Sequence, residues 1–267
     1  MLQQEMLARL QALCEADERL VAATLYGSFT QDEGDAHSDI ECALFFRDEA
    51  LEGVDPVAWI ESIAPVALYF VNEFGVGTAL FENLVRGEFH FERASEIAQV
   101  DTWAGSSWFP CLGDAILVDH SGELTQRLGA LEEAPRRDTG ENARDLVSRT
   151  LNWMLFGTNV LERGEYARAL ELLWWVQRHL LWMARLCESA TAHWPTPSRL
   201  LENDLSPDAY RRYAECTATL SPSDLWRAYR AAWTWGQELI AHLVQRHGLD
   251  MPDVLLRGLS ERLGKKP

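Results

Sequence analysis

Residues 26–46 read YGSFTQDEGDAHSDIECALFF, and this stretch decides what kind of fold the chain builds. An apolar run at 20–26 ends on Gly27-Ser28, a polar turn-rich segment follows, and a second apolar run fills 40–46. Short apolar runs bounded by Gly, Asp and Ser predict two β-strands joined by a loop. Side chains alternate across a strand, so Asp39 and Glu41 share one face while Ile40 and Cys42 point to the other and pack. Two carboxylates side by side repel unless a cation neutralises them. A hard divalent ion such as Mg²⁺ does so with oxygen ligands, usually one or two carboxylates plus phosphate oxygens. Gly27 lets the backbone approach a phosphate closely, and the Ser28 hydroxyl and the amides after it can donate to its oxygens. Alone, Gly-Ser and Asp-x-Glu are common. The information lies in their order, with strand, Gly-Ser, a ten-residue gap, Asp-x-Glu and a further apolar run in sequence.

Working outward, residues 86–91 read RGEFHF, which places Glu88 and His90 on one strand face and Phe89 and Phe91 on the other. Glu88 is therefore a candidate third carboxylate, as a metal ligand or as the general base for an acceptor hydroxyl. An exposed strand residue is the alternative. His90 reads first as a packed or supporting histidine. Transfer of a phosphoryl-type group needs mainly positioning and charge neutralisation, which a backbone cradle and a carboxylate-held metal supply.

Elsewhere in the first 130 residues helical and strand-like patterns alternate. Residues 1–16 carry Leu2, Met6, Leu10 and Leu13 at helical spacing. Asp55-Pro56 opens a helix by a cap followed by proline. Residues 65–72, 78–81, 85–92 and 116–118 read as further strands. The segment 134–140, APRRDTG, has connector composition, and beyond it the pattern is helical. Long helices are predicted over 141–161 and 165–188, with starts at Ser206-Pro207 and at Ser221-Pro222, where Asp224 completes a capping box. The expected fold class is α+β, with a mixed-sheet domain over 1–134 and an α-helical bundle over 135–267.

Composition narrows the function classes. The 267 residues are 47% hydrophobic, enough for a sizeable core, and carry a formal net charge of −17. No basic cluster suggests a nucleic-acid track, so no nucleic acid is expected as partner. No apolar run reaches the roughly 18 residues of a membrane span, and the N-terminus reads as an amphipathic helix rather than a leader. A cytoplasmic protein without membrane contact is expected. Five scattered cysteines without a CxxC pair read as reduced, mostly buried thiols. The eleven tryptophans read mostly as helix-to-helix core, the remainder as wall for a ligand with an apolar side.

The motifs resemble the nucleotidyltransferase superfamily that includes DNA polymerase β-like enzymes, and more closely its lincosamide nucleotidyltransferases of the two-domain type. Residues 25–30, 33–35 and 38–41 are similar to that family's MYGSFT-, GEGD- and SDIE-like segments. FENLVRGEFHF at 81–91 and NVLERGEYARALELL at 159–173 are also close to it, and the likeness runs nearly end to end. It implies a nucleotidyltransferase fold followed by a helical bundle, with the active site between them. It implies two Mg²⁺ ions on an NTP, held by Asp39, Glu41 and Glu88, with Glu88 as the base. Gly27, Ser28 and Thr30 of the matched segment would bind the nucleotide. The acceptor implied is a hydroxyl of lincomycin or clindamycin, which takes AMP or a similar nucleotide and is thereby inactivated. A homodimer is plausible by the same likeness. Asp32 stands where the family tends to have glycine, and Cys42 where an aromatic is usual.

Arg163, Tyr166 and Arg168 fall at a turn between two long helices. Their types and spacing alone read as a solvated helix start with Glu165–Arg168 pairing. The resemblance turns that reading towards nucleotide binding, by bidentate Arg–phosphate contacts and stacking on Tyr166. Three other functions fit parts of the pattern: the same transfer to an aminoglycoside, a nucleotidyltransferase-fold regulator or antitoxin without turnover on drugs, and polymerase-like extension of nucleic acid. The acidic balance suits a polycationic acceptor, the tryptophan-rich helices a less charged one, and the missing basic track opposes the polymerase reading.

Overall fold

The computed structural model describes residues 1–264, and the chain divides into two compact units, Met1–Pro135 and Arg136–Pro267. The class is α+β. The first unit is built on a six-stranded mixed sheet, the second on helices.

In the first unit, α1 (Leu2–Ala16) is followed by β1 (Leu20–Leu25), a 3₁₀ turn (Gly27–Thr30) and β2 (Ile40–Phe46). Then come α2 (Asp48–Leu51), α3 (Pro56–Glu61), β3 (Val66–Val71), β4 (Gly77–Phe81) and β5 (Arg86–Arg93). A longer 3₁₀ segment (Ala94–Trp103) leads to α4 (Leu112–Ala115), β6 (Ile116–Asp119) and α5 (Glu123–Gly129). Asp55 caps α3 as its sequence suggests, its carboxylate accepting from the amides of Val57 and Ala58, with Pro56 at the first turn. The strand order is β3-β4-β5-β2-β1-β6, and only β2 and β5 run parallel among these neighbours.

Alternation along β2 sorts its side chains into two cores. Ile40, Cys42, Leu44 and Phe46 bury against Met6 and Leu10 of α1 and Trp59 and Ile60 of α3. On the opposite face Ala43 and Phe45 bury against Ile97, Val100, Phe109, Leu124 and Leu128. That second layer covers the later half of β2 only. Glu41, and Asp39 just before the strand, are thus left half-buried where the covering layer ends.

In the second unit α6 (Gly140–Glu162), α7 (Tyr166–Cys187) and α10 (Pro222–His247) enclose the core, with α8 (Leu201–Asp204), α9 (Pro207–Glu215) and α11 (Asp253–Gly264) beside them. Gly157 of α6 lies against Tyr229 of α10, which is fully buried and donates from its hydroxyl to the Ala169 carbonyl at 2.8 Å. Arg185 is also fully buried. It donates to the carbonyls of Pro197, Ala190 and Arg199 and to Asp204 at 2.7 Å, so its charge is compensated where water is excluded.

One expectation needs correction here. Ser221 makes no side-chain cap, and Asp224 closes no box with it. Its carboxylate instead accepts from the amide and hydroxyl of Thr219, which sit nearer in the turn before the helix. Trp174 and Trp175 are not core, being 49% and 36% exposed. They stand on the outer face of α7, Trp175 stacked on Trp153 at 5.3 Å. Trp233 and Trp235 do bury in the helical core. Cys14, Cys42 and Cys216 are buried, Cys187 is half-buried and Cys111 exposed, all of them thiols. Among the described residues no helix is long and apolar enough to cross a membrane.

Candidate functional site

The site grows from the end of β1. The Tyr26 amide donates to the Glu41 carbonyl at 3.0 Å, and the chain then turns sharply at Gly27, where φ is +76°. Glycine is needed there twice over. The left-handed conformation disfavours a side chain, and a Cβ on Gly27 would run into Oε2 of Glu41. The Glu41 carboxylate therefore lies directly against the Gly27 backbone. Ser28 is the second residue of the same 3₁₀ turn, and its carbonyl accepts from the amides of Gln31 and Glu33. Thr30 is buried, and its hydroxyl donates to the Gly27 carbonyl at 2.9 Å, which tightens the turn. Asp32 takes φ +58°, a backbone conformation that glycine adopts without strain and aspartate tolerates.

The loop then closes on itself. Asp35 Oδ1 accepts from the His37 amide at 2.8 Å and from the Ser38 hydroxyl at 3.0 Å, while Ser38 Oγ accepts from the Asp35 amide. The His37 amide first and the Ser38 hydroxyl next hold the Asp35 carboxyl below its usual pKa. This pinned loop delivers Asp39 to the head of β2. The parallel register sets Glu41 opposite Glu88 of β5 and Ile40 opposite Gly87. Neighbouring strands lie about 4.8 Å apart, so Glu41 and Glu88 stand side by side on one face, with Asp39 two residues upstream.

A residue that sequence reasoning passed over links them. Arg86 Nη1 donates to Asp39 Oδ2 at 2.5 Å and Nη2 donates to Glu88 Oε1. Asn72, in the β3–β4 turn, adds a third contact, its Nδ2 donating to the same Glu88 oxygen at 3.1 Å. Among the described residues no group of three His, Cys, Asp or Glu closes around one point, and the Arg86 guanidinium bridges Asp39 and Glu88. The donor set nonetheless fits a hard divalent ion. It is all oxygen, it comes from two adjacent strands, and it already attracts a cation to the oxygens that would bind a metal. The Arg86 signal was in the sequence, since RGEFHF puts Arg86 on the Glu88 face at a spacing of two.

Beside the carboxylates, the Tyr26 hydroxyl and His90 Nε2 are 3.0 Å apart, and their rings meet edge to face at 5.6 Å. Trp103 also packs against Tyr26. Burial first, then the negative field of Glu41, pushes the Tyr26 phenol well above its usual pKa, so it remains a neutral donor. His90 Nδ1 lies 3.8 Å from Glu92 Oε1, and hydrogen bonding from His90 holds the Glu92 carboxyl below the usual range. His90 is thus a supporting group, fixed between a tyrosine and a carboxylate.

Arg163, Tyr166 and Arg168 belong to the second unit. Arg163 follows α6 and Tyr166 begins α7 across Gly164, whose φ is +78°. Both arginines are directed at Glu165, Arg163 at 3.9 Å and Arg168 at 3.2 Å, and the Arg168 guanidinium lies over the Phe156 ring. Tyr166 packs partly into the helical core.

Comparison with known proteins gives three findings. Residues 139–262 match the family described as lincosamide nucleotidyltransferase-like, C-terminal domain. A search of curated proteins returns no match. Two solved structures are similar to the chain. One is an aminoglycoside 6-adenyltransferase from Bacillus subtilis, at 14% identity and a TM-score of 0.45 over 98% of this chain and 97% of that one. The other is a nucleotidyltransferase-like protein from Exiguobacterium sibiricum, at 15% identity and a TM-score of 0.38 over 99% of this chain and 89% of that one.

Proposed function

We propose that the chain is a nucleotidyltransferase that moves AMP from ATP, with Mg²⁺, onto a hydroxyl of a lincosamide antibiotic and so inactivates the drug; the likeness of residues 139–262 to the lincosamide nucleotidyltransferase-like C-terminal domain supports this reading. The observation that carries this reading is the side-by-side placement of Glu41 and Glu88 on parallel strands, with Asp39 on the same side and the Gly27 turn against Glu41.

Asp39, Glu41 and Glu88 would hold Mg²⁺. The bound ion would neutralise the triphosphate and draw electron density from the α-phosphorus. The chain's own groups do the rest. The Gly27 backbone and the Ser28 hydroxyl bind phosphate oxygens, Gly27 by allowing the close approach that a side chain would block. Glu88 takes the proton from the acceptor hydroxyl as its oxygen attacks the α-phosphorus in line. A bond forms between that oxygen and phosphorus, the bond to the bridging oxygen breaks, and pyrophosphate leaves. Asn72 orients the Glu88 carboxylate for this task. Arg163, Tyr166 and Arg168 of the helical unit are assigned to nucleotide recruitment.

The test is mass spectrometry of clindamycin and kanamycin after incubation with the protein, Mg²⁺ and each of the four NTPs. A nucleoside monophosphate adduct on clindamycin with ATP is expected, and Asp39→Asn or Glu41→Gln should remove it while the protein stays folded. An adduct on kanamycin alone would move the acceptor to aminoglycosides, which the net charge of −17 would suit. No adduct on either drug would overturn the reading in favour of a regulator.

A further inference from the structure

Arg86 sits where a metal-dependent site has least use for a fixed positive charge. It bridges Asp39 and Glu88, two of the three carboxylates on this face, through separate guanidinium nitrogens. A divalent ion at the same oxygens would meet the guanidinium at close range, and two like charges a few ångströms apart cannot both keep those ligands. The guanidinium can leave, because the Arg86 side chain is 39% exposed and Arg86 and Asp39 border an open depression of about 420 Å³. Once displaced it needs an anionic partner. A planar guanidinium pairs well with phosphate oxygens, two hydrogen bonds at a time.

We propose that Arg86 is a built-in counterion that competes with the divalent metal for Asp39 and Glu88 and transfers to the nucleotide's polyphosphate when metal and nucleotide bind together. This inference rests on the metal-dependent reading of the site given above. Without ligands, Arg86 keeps three neighbouring carboxylates from repelling one another out of position. With metal alone, the ion must displace the guanidinium into water, so binding is weak. With metal and NTP, the displaced guanidinium finds phosphate oxygens, so each ligand strengthens the other. Binding of the two is thereby coupled, and by linkage the coupling is the same in both directions. Arg86 is a positioning residue in this account and takes no proton from the acceptor.

The experiment is a titration of the full chain with Mn²⁺, followed by electron paramagnetic resonance, with and without α,β-methylene-ATP, which cannot be turned over. Wild type, Arg86→Met, Arg86→Gln and Asp39→Asn are compared. Arg86→Gln is a polar, uncharged replacement and guards against a folding loss in Arg86→Met. Wild type should bind free Mn²⁺ weakly and gain about tenfold or more in affinity with the nucleotide analogue. Both Arg86 variants should bind free Mn²⁺ about tenfold more tightly than wild type, as expected from removing one neighbouring positive charge, and lose most of the gain from nucleotide. The proposal is overturned if neither variant binds free Mn²⁺ more tightly while Asp39→Asn abolishes binding. If Asp39→Asn binds Mn²⁺ like wild type, the metal reading of the site itself fails, and the Arg86 proposal goes with it.

Discussion

Replacing Gly27 by alanine separates the structural from the chemical demand on the turn. The added Cβ meets two problems of different size. At φ +76° an alanine costs about 1–2 kcal/mol relative to glycine, through contact of its Cβ with its own backbone. The second problem is Glu41, whose Oε2 and Cδ occupy the space the methyl needs, Cδ at 2.9 Å. These atoms are the far end of a flexible side chain, so the fold relieves the clash cheaply by swinging the carboxylate away. Stability should therefore fall by only the conformational cost, a drop of roughly 4–8 °C in the melting temperature of a unit this size. Transfer should fall far more, because Glu41 is moved by about the 1 Å that costs roughly 100-fold when a reacting constellation is misplaced. The assay pairs thermal unfolding with the rate of adduct formation at saturating ATP. A variant that melts a few degrees lower but transfers within about threefold of wild type would refute the claim that Gly27 holds Glu41 in a working position.

Three other outcomes follow from the same structure. Gly157→Ala should destabilise by about 2 kcal/mol despite alanine's better helix propensity, because the methyl meets the buried Tyr229 ring, with Cε1 at 2.7 Å; chemical denaturation measures it, and an unchanged midpoint would contradict the packing. Asp204→Ala should cost about 3 kcal/mol by stranding the buried Arg185 charge; in wild type, burial pushes the Asp204 carboxyl up but the hydrogen bonds from His193 and Arg185 outweigh it and leave its pKa lowered, so this contribution is complete above the unfolded value near 3.8, is lost only as pH falls through the lower folded value, and should vanish from acid-unfolding curves of the variant. Arg163→Ala combined with Arg168→Ala should raise the KM for NTP several-fold with kcat retained; an unchanged KM would reduce both to solvent-exposed partners of Glu165.

What could be read from the sequence was whatever depends on neighbours along the chain. Alternation in IECALFF gave the two faces of β2, and Asp55-Pro56 gave the start of α3, because both are set within a few residues. Arg86 lay on the Glu88 face by the same alternation, yet its bond to Asp39 spans 47 residues and exists only because β2 and β5 become parallel neighbours. Asn72 reaches Glu88 for an equally non-local reason, from a turn two strands away in the sheet. The Asp224 cap failed through local competition, since Thr219 offered an amide and a hydroxyl together. Which tryptophans lie outside the core, Trp174 and Trp175 among them, was not legible, because apolar character predicts burial only on average and one helix face must look outward.

The carboxylate site is also protected by the fold in a way that spacing alone does not convey. Ile40, Cys42, Leu44 and Phe46 fill one core while Glu41 faces the other way. A one-residue slip of β2 against β5 would turn Ile40 and Cys42 to the uncovered end of the opposite face, force Leu44 and Phe46 into the layer shaped for Ala43 and Phe45, and drive Glu41 into the space between α1 and α3. Exposing Ile40 alone costs about 1.5–3 kcal/mol, and burying an uncompensated carboxylate adds several more. That is a large part of the roughly 5–15 kcal/mol by which a typical domain is stable. The register that sets Glu41 beside Glu88 is therefore held by hydrophobic burial on both faces of β2, and only the end of the near face, where Asp39 and Glu41 sit, is left to carry polar side chains.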